Sequence, residues 1–126
     1  MEWFKRLFKK RGRSTDAPLM PSWNEIVEML YDKGLDAFSD EVVNVVYSKD
    51  KSMRYVVFKD EKGFLTYQLE AIYQFDVEEW KYICSNNDAL PAMWEPFRGI
   101  VGRSVFSRED DLLREMKEEP EYKQYF

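Results

Sequence analysis

With 126 residues, 44% apolar and 34% charged, the chain reads as one soluble globular domain able to bury about two-thirds of its unfolded surface. The absence of histidine removes the commonest general base and the commonest metal ligand, and the single cysteine, Cys84, excludes an intramolecular disulfide or a cysteine-based zinc cluster. The formal charge of −5 is unevenly spread: residues 1–13 hold six basic side chains against Glu2, so a tip of +5 precedes a remainder of −10.

The first ten residues have the pattern of a basic amphipathic helix. Trp3, Phe4, Leu7 and Phe8 share one face at helical spacing, and Lys5, Arg6, Lys9 and Lys10 lie elsewhere. Two uses are open to such a helix. It can lie on an anionic membrane surface, or its apolar face can dock on the domain or on another copy. No lipidation motif accompanies it, no apolar signal-peptide core follows Met1, and no stretch approaches the length of a transmembrane span. Gly12, Ser14, Thr15, Asp16, Pro18 and Pro21 make residues 11–21 a linker. The expected organisation is therefore a helix with its linker over 1–21, ahead of a single α+β domain over 22–126.

Ser22 and Glu25 form a capping box in front of an apolar stripe of Trp23, Ile26, Val27 and Leu30, which predicts a helix over 22–33. Gly34 is expected to stop it, with Leu35 touching Leu30 in a Schellman-type ending. Three β-branched and aromatic runs follow, at 42–47, 53–59 and 64–73. The breaks between them are too short for a parallel crossover, so the strands should form an antiparallel meander, with Gly63 free to take positive φ in the second turn. In the third run Leu65, Tyr67, Leu69 and Ala71 fall on one face, and Thr66, Gln68 and Glu70 on the other. The first two runs are apolar on both sides, so part of the second face should also be covered.

Asp76 with Glu79 makes a second capping box, and Phe75 with Trp80 a hydrophobic staple, for a helix over 77–84. Cys84, with no histidine to activate it, reads as a structural apolar residue. Residues 89–99 contain Pro91, Met93, Trp94, Pro96 and Phe97 and read as irregular. Either these side chains plug the open end of the core, or they present an apolar loop to a partner. In the second case Met93, Trp94, Glu95 and Phe97 are the candidate partner-binding residues. Residues 100–106 read as a short edge strand or an extended segment. Ser107 then caps a helix over 107–118, with Glu109, Asp110 and Asp111 in its first turn, Leu112, Leu113 and Met116 as its stripe, and Pro120 as its breaker.

The fold class that results is α+β, a three- to four-stranded antiparallel meander flanked by about three helices, with the basic amphipathic helix in front. Catalytic chemistry is not legible: there is no Ser-His-Asp or Cys-His set, no phosphate-cradling glycine loop and no metal-ligand spacing, so the chain reads as a non-enzyme needing no cofactor or metal. An acidic body repels nucleic acid. It suits a basic protein partner, or the DNA-binding cleft of a nuclease. The aromatic share of 17% serves either a bulky core or a protein interface, where Tyr and Trp are favoured.

Residues Trp23–Gly34, Phe75–Trp80, Ala89–Pro96 and Glu119–Lys123 give the chain a pattern that resembles small uncharacterised bacterial proteins, especially the immunity proteins of polymorphic toxin systems. The resemblance implies a non-catalytic protein that binds and neutralises a partner such as a toxin, and the single cysteine suits a reducing cytoplasm, with membrane association open through residues 1–13. Two other readings stay open. One is a peripheral membrane or assembly protein recruited through residues 1–13. The other is a phage or mobile-element protein that blocks a host factor by charge mimicry.

Overall fold

The β-branched runs pair as their short breaks require. In the computed structural model, which describes residues 19–36, 39–84, 89–98 and 104–126, β1 (Glu41–Tyr47), β2 (Met53–Lys59) and β3 (Leu65–Gln74) form an antiparallel meander. A fourth strand, β4 (Ala92–Pro96), pairs antiparallel with β3, so the sheet order β1-β2-β3-β4 repeats the chain order. The helices are α1 (Trp23–Leu30), α2 (Val77–Ile83), α3 (Glu109–Lys117) and α4 (Pro120–Tyr125). The basic helix expected over residues 1–10, with Trp3, Phe4, Leu7 and Phe8 as its apolar face, lies outside the described residues. Among those described, no helix is long and apolar enough to cross a membrane.

Each hairpin turn is built around an aspartate. Asp50 Oδ1 accepts from the hydroxyls of Ser48 and Ser52 and from the Ser52 N–H, and these bonds hold its carboxyl below the usual range. Asp60 Oδ1 accepts from the N–H groups of Lys62 and Phe64. Each turn also needs one residue at positive φ: Gly63 at 89° in the second, Lys51 at 66° in the first. A side chain in that region costs about 1 kcal/mol. The Lys51 ammonium, however, sits 5.2 Å from the centre of the Tyr31 ring. Lys51→Gly is therefore expected to raise stability in urea denaturation by up to about 1 kcal/mol. A net loss would mean that the contact with Tyr31 outweighs the backbone strain.

Alternation along the strands sends side chains to two covered faces. One face bears Tyr47, Arg54, Glu70, Ile72 and Trp94, and α1 lies on it through Ile26 and Leu30. The other bears Met53, Tyr55, Val57, Leu65 and Leu69, covered by Leu112 and Met116 of α3 and by Tyr122 of α4 with Phe126. The C-terminal helix pair is also pinned by hydrogen bonds. The Tyr55 and Tyr67 hydroxyls donate to the two oxygens of Glu119, each at 2.7 Å. Burial of one strand face alone would have left Glu70 in water; instead its side chain is 12% exposed and pairs with Arg54.

Both predicted capping boxes form, at Ser22/Glu25 and at Asp76/Glu79. Two expectations about helix ends are corrected and a third, Pro120 as the breaker, is met. α1 stops at Leu30, and Asp32 at φ 59° takes the left-handed position before Gly34 does. α3 starts at Glu109 after Arg108, with no side-chain cap, so Ser107 does not fill that role. Pro120 ends α3 by opening α4 at a first-turn position, where its missing N–H has no helical partner to lose. Residues 100–103 lie outside the description, and Phe106 meets the sheet only as an isolated bridge to Leu65.

Candidate functional site

The segment expected to be irregular contains a strand, because both of its prolines sit where a strand tolerates them. Pro91 precedes β4 and Pro96 ends it, and β4 is the sheet's margin. Phe75 N–H donates to the Pro91 carbonyl and Phe97 N–H to the Leu69 carbonyl. Antiparallel pairing alternates inward and outward backbone groups, so Ala92, Trp94 and Pro96 turn theirs away from β3. Pro96 has no N–H to offer there, which shortens the row of donors available to an added strand.

The side chains of β4 divide by the same period of two. Ala92 and Trp94 are buried, and Met93 and Glu95 are exposed. Of the two readings open for this segment, Trp94 takes the first: it is part of the core at 9% exposure and not a partner-facing residue. Its indole N–H donates to the Leu30 carbonyl at 2.8 Å, satisfying one of the groups that a helix C-terminus leaves open. Its ring lies 4.0 Å from the guanidinium carbon of Arg54.

Arg54 is the centre of that buried arrangement. It has no solvent exposure, and its Nε donates to Glu70 at 2.7 Å. Its Nη1 donates to the Tyr47 hydroxyl and its Nη2 to the Gly34 carbonyl. The Tyr47 hydroxyl also accepts from the Asp32 N–H and donates to the Asp32 carboxylate. Gln68 completes the set by donating to the second oxygen of Glu70. The network joins β1, β2, β3 and β4 to the end of α1. Its polar groups are occupied by one another, so it acts as a clamp rather than as an open site.

What β4 shows to solvent is a strip. Met93 stands directly opposite Tyr73, Glu95 opposite Ala71, and Phe97 is bonded to Leu69, so all of them share the face that α3 and α4 cover further in. Met93 is 46% exposed, Phe97 47% and Tyr73 38%. Strand geometry separates Met93 from Phe97 by about 13 Å, with Glu95 between them. Carboxylates line this strip. The Tyr73 hydroxyl donates to Glu79 Oε1 at 2.9 Å. That bond, then burial, then the charges of Glu79, Asp76 and Glu95 hold the Tyr73 phenol above its ordinary range. At the far end Arg98 pairs with Glu121 and Glu119, joining the strip to α4.

The structure thus keeps Met93, Glu95 and Phe97 together on one surface and removes Trp94 from it. It adds Tyr73, Glu79 and Asp76, which sequence reasoning assigned only to a strand and to a helix cap. The period-two alternation of residues 92–95 is the signal that separates Trp94 from Met93. Nothing local announces Tyr73, whose place depends on the register between β3 and β4. The predicted apolar face Trp3, Phe4, Leu7 and Phe8 lies outside the described residues. Comparison of the chain with protein-family models, with curated proteins and with solved structures gave no match.

Proposed function

We propose that the chain is a non-catalytic protein-binding module that docks a basic, apolar-bearing segment of its partner on Tyr73, Met93, Glu95 and Phe97. The observation that supports this reading is the inverted chemistry of β4. A strand with one face in the core usually turns polar residues to water, but here Met93, opposite Tyr73, and, just past the strand, Phe97, bonded to Leu69, are turned outward. Exposed large apolar groups gathered on one surface and rimmed by charge are the composition of an interaction site. The rim is acidic through Glu95, Glu79 and Asp76, so the complementary partner surface is basic. Neutralisation of a toxin, the role implied by the resemblance to immunity proteins, is the form of binding this reading favours.

The test is tagged co-purification from native cells with mass spectrometry, comparing wild type, Met93→Asp/Phe97→Ser, and Phe64→Ser as a control at an exposed aromatic on the β2–β3 turn. A protein held by wild type and by the control, and lost by the double variant, is the expected result. Each strip residue is expected to contribute about 1–2 kcal/mol to affinity, so the double variant should weaken binding at least about 30-fold. A partner retained by the double variant, with its fold intact by circular dichroism, would remove the strip from the interface.

A further inference from the structure

We propose that β1 is a self-association margin: a second copy of the chain pairs with it antiparallel across a two-fold axis at Val46, joining two four-stranded sheets into one. The two margins of the sheet are unlike. β4 is five residues long and carries Pro96, which removes one of its outward donors. β1 has seven residues, no proline, and no charged side chain between Glu41 and Lys49, in a chain that is 34% charged. Its one irregularity, the register shift between Val42 and Asn44, bounds the stretch open to pairing without closing it.

The hydrogen bonds of the first hairpin say which groups of β1 are turned outward. Ser48 N–H donates to the Met53 carbonyl, so Ser48, Val46 and Asn44 turn their backbone groups toward β2, and Val45 and Tyr47 turn theirs away. Among the described residues no strand lies beyond them. The regular stretch runs from Asn44, after the register shift, to Ser48, before the turn at Lys49. Val46 is its centre, and that symmetry selects the occupant. A copy set antiparallel with Val46 opposite Val46 uses the whole stretch of both chains. It places Val45 of each copy opposite Tyr47 of the other, so that each such pair exchanges both backbone hydrogen bonds and sets a β-branched side chain against an aromatic one.

The flanks suit the same occupant. Tyr31, on the α1 face, is 44% exposed, with its ring 4.6 Å from that of Tyr47. Tyr125, at the end of α4 on the opposite face, is 43% exposed, and its carbonyl accepts from Lys49 N–H. Both residues stand at the Tyr47 end of the stretch, where the antiparallel arrangement brings up Asn44 and Val45 of the second copy. The β4 margins stay at the two far ends of the joined sheet, so the pairing does not compete with docking on the Tyr73–Met93–Phe97 strip. A contact of one short strand and its flanks is small, and the association is therefore weak and concentration-dependent.

Sedimentation equilibrium of the full chain, from micromolar to millimolar, is expected to show monomer passing into dimer. Val45→Pro removes an outward N–H and leaves the β1–β2 bonds in place, so it should weaken dimerisation at least about 10-fold with the far-ultraviolet circular dichroism unchanged. In a Cys84→Ser background, oxidation should cross-link Val46→Cys to its own copy, because facing residues of a non-hydrogen-bonded pair have Cα atoms about 4.5 Å apart. Asn44→Cys, which meets Ser48 of the second copy, should not cross-link, nor should Met93→Cys. A chain that stays monomeric throughout overturns the proposal. So does a dimer that folded Val45→Pro leaves undiminished, or one cross-linked through Asn44→Cys or Met93→Cys in place of Val46→Cys. If Val45→Pro does not fold, the pattern of cross-links decides alone.

Discussion

Arg54→Met is expected to destabilise the protein by about 3–5 kcal/mol, the usual cost of removing one member of a buried ion pair. The reason is what it leaves behind. Glu70 is 12% exposed, and without Arg54 its carboxylate keeps the hydrogen bond from the Gln68 amide but loses the guanidinium that pairs with it. Tyr47 and the Gly34 carbonyl each lose a donor as well. The double variant Arg54→Met/Glu70→Leu is expected to recover most of the loss, since an apolar pair of similar volume often replaces a buried ion pair without net cost. Urea denaturation of both variants decides the matter. A single variant within about 1 kcal/mol of wild type would show that Glu70 is re-solvated locally and that the clamp adds little. Against total stabilities of about 5–15 kcal/mol for domains of this kind, the expected loss approaches unfolding.

The second large effect is at Glu119. Glu119→Ala removes the acceptor of two phenol hydrogen bonds and leaves the hydroxyls of Tyr55 and Tyr67 unpaired beneath α4, at an expected cost of about 2–4 kcal/mol. The same pair makes stability sensitive to alkali. Both phenols are raised above the ordinary tyrosine range, by burial first and by the bond to Glu119 and its charge next. An unfolded tyrosine ionises near pH 10, whereas these two keep their protons in the fold. Above that pH the unfolded chain binds fewer protons than the native one, so stability falls as pH rises; below it the contribution is fully present. Tyrosinate absorbance should therefore show Tyr55 and Tyr67, of the eight tyrosines, ionising only as the far-ultraviolet circular dichroism signal is lost. Ionisation of all eight with the native spectrum intact would mean that the phenols are not shielded.

Legibility followed the range of the interactions. The strand over 53–59 and both capping boxes rest on residues within a few positions of one another, and they form as the sequence indicates. β4 was obscured because Pro91 and Pro96 argue against regular structure, while the circumstance that admits them, a place at the sheet margin, is a property of the whole topology. The sequence leaves Trp94 open between a plug of the core and a partner-facing loop because the two groups it contacts are remote. Arg54 lies forty residues upstream, and the Leu30 carbonyl is 64 residues away. The sequence places the helix stop at Gly34 rather than after Leu30 for a related reason: the N–H and carboxylate of Asp32 bond Tyr47, on a strand remote in sequence.

Because the sheet order repeats the chain order, β1, β2 and β3 are expected to pair before β4 joins them. The turns between β1, β2 and β3 close loops of a few residues, with little entropy lost before the first cross-strand contacts form. β4 has to return across the 17 residues from Phe75 to Pro91, and its tryptophan must find a carbonyl near the start of the domain. The margin is thus expected to be the last part of the sheet to be completed, and the emission of a chain keeping Trp94 as its single tryptophan would time its arrival. Met93 and Glu95 stand opposite Tyr73 and Ala71 only in the paired sheet, so the strip is a property of the completed fold and not of any local stretch of the chain.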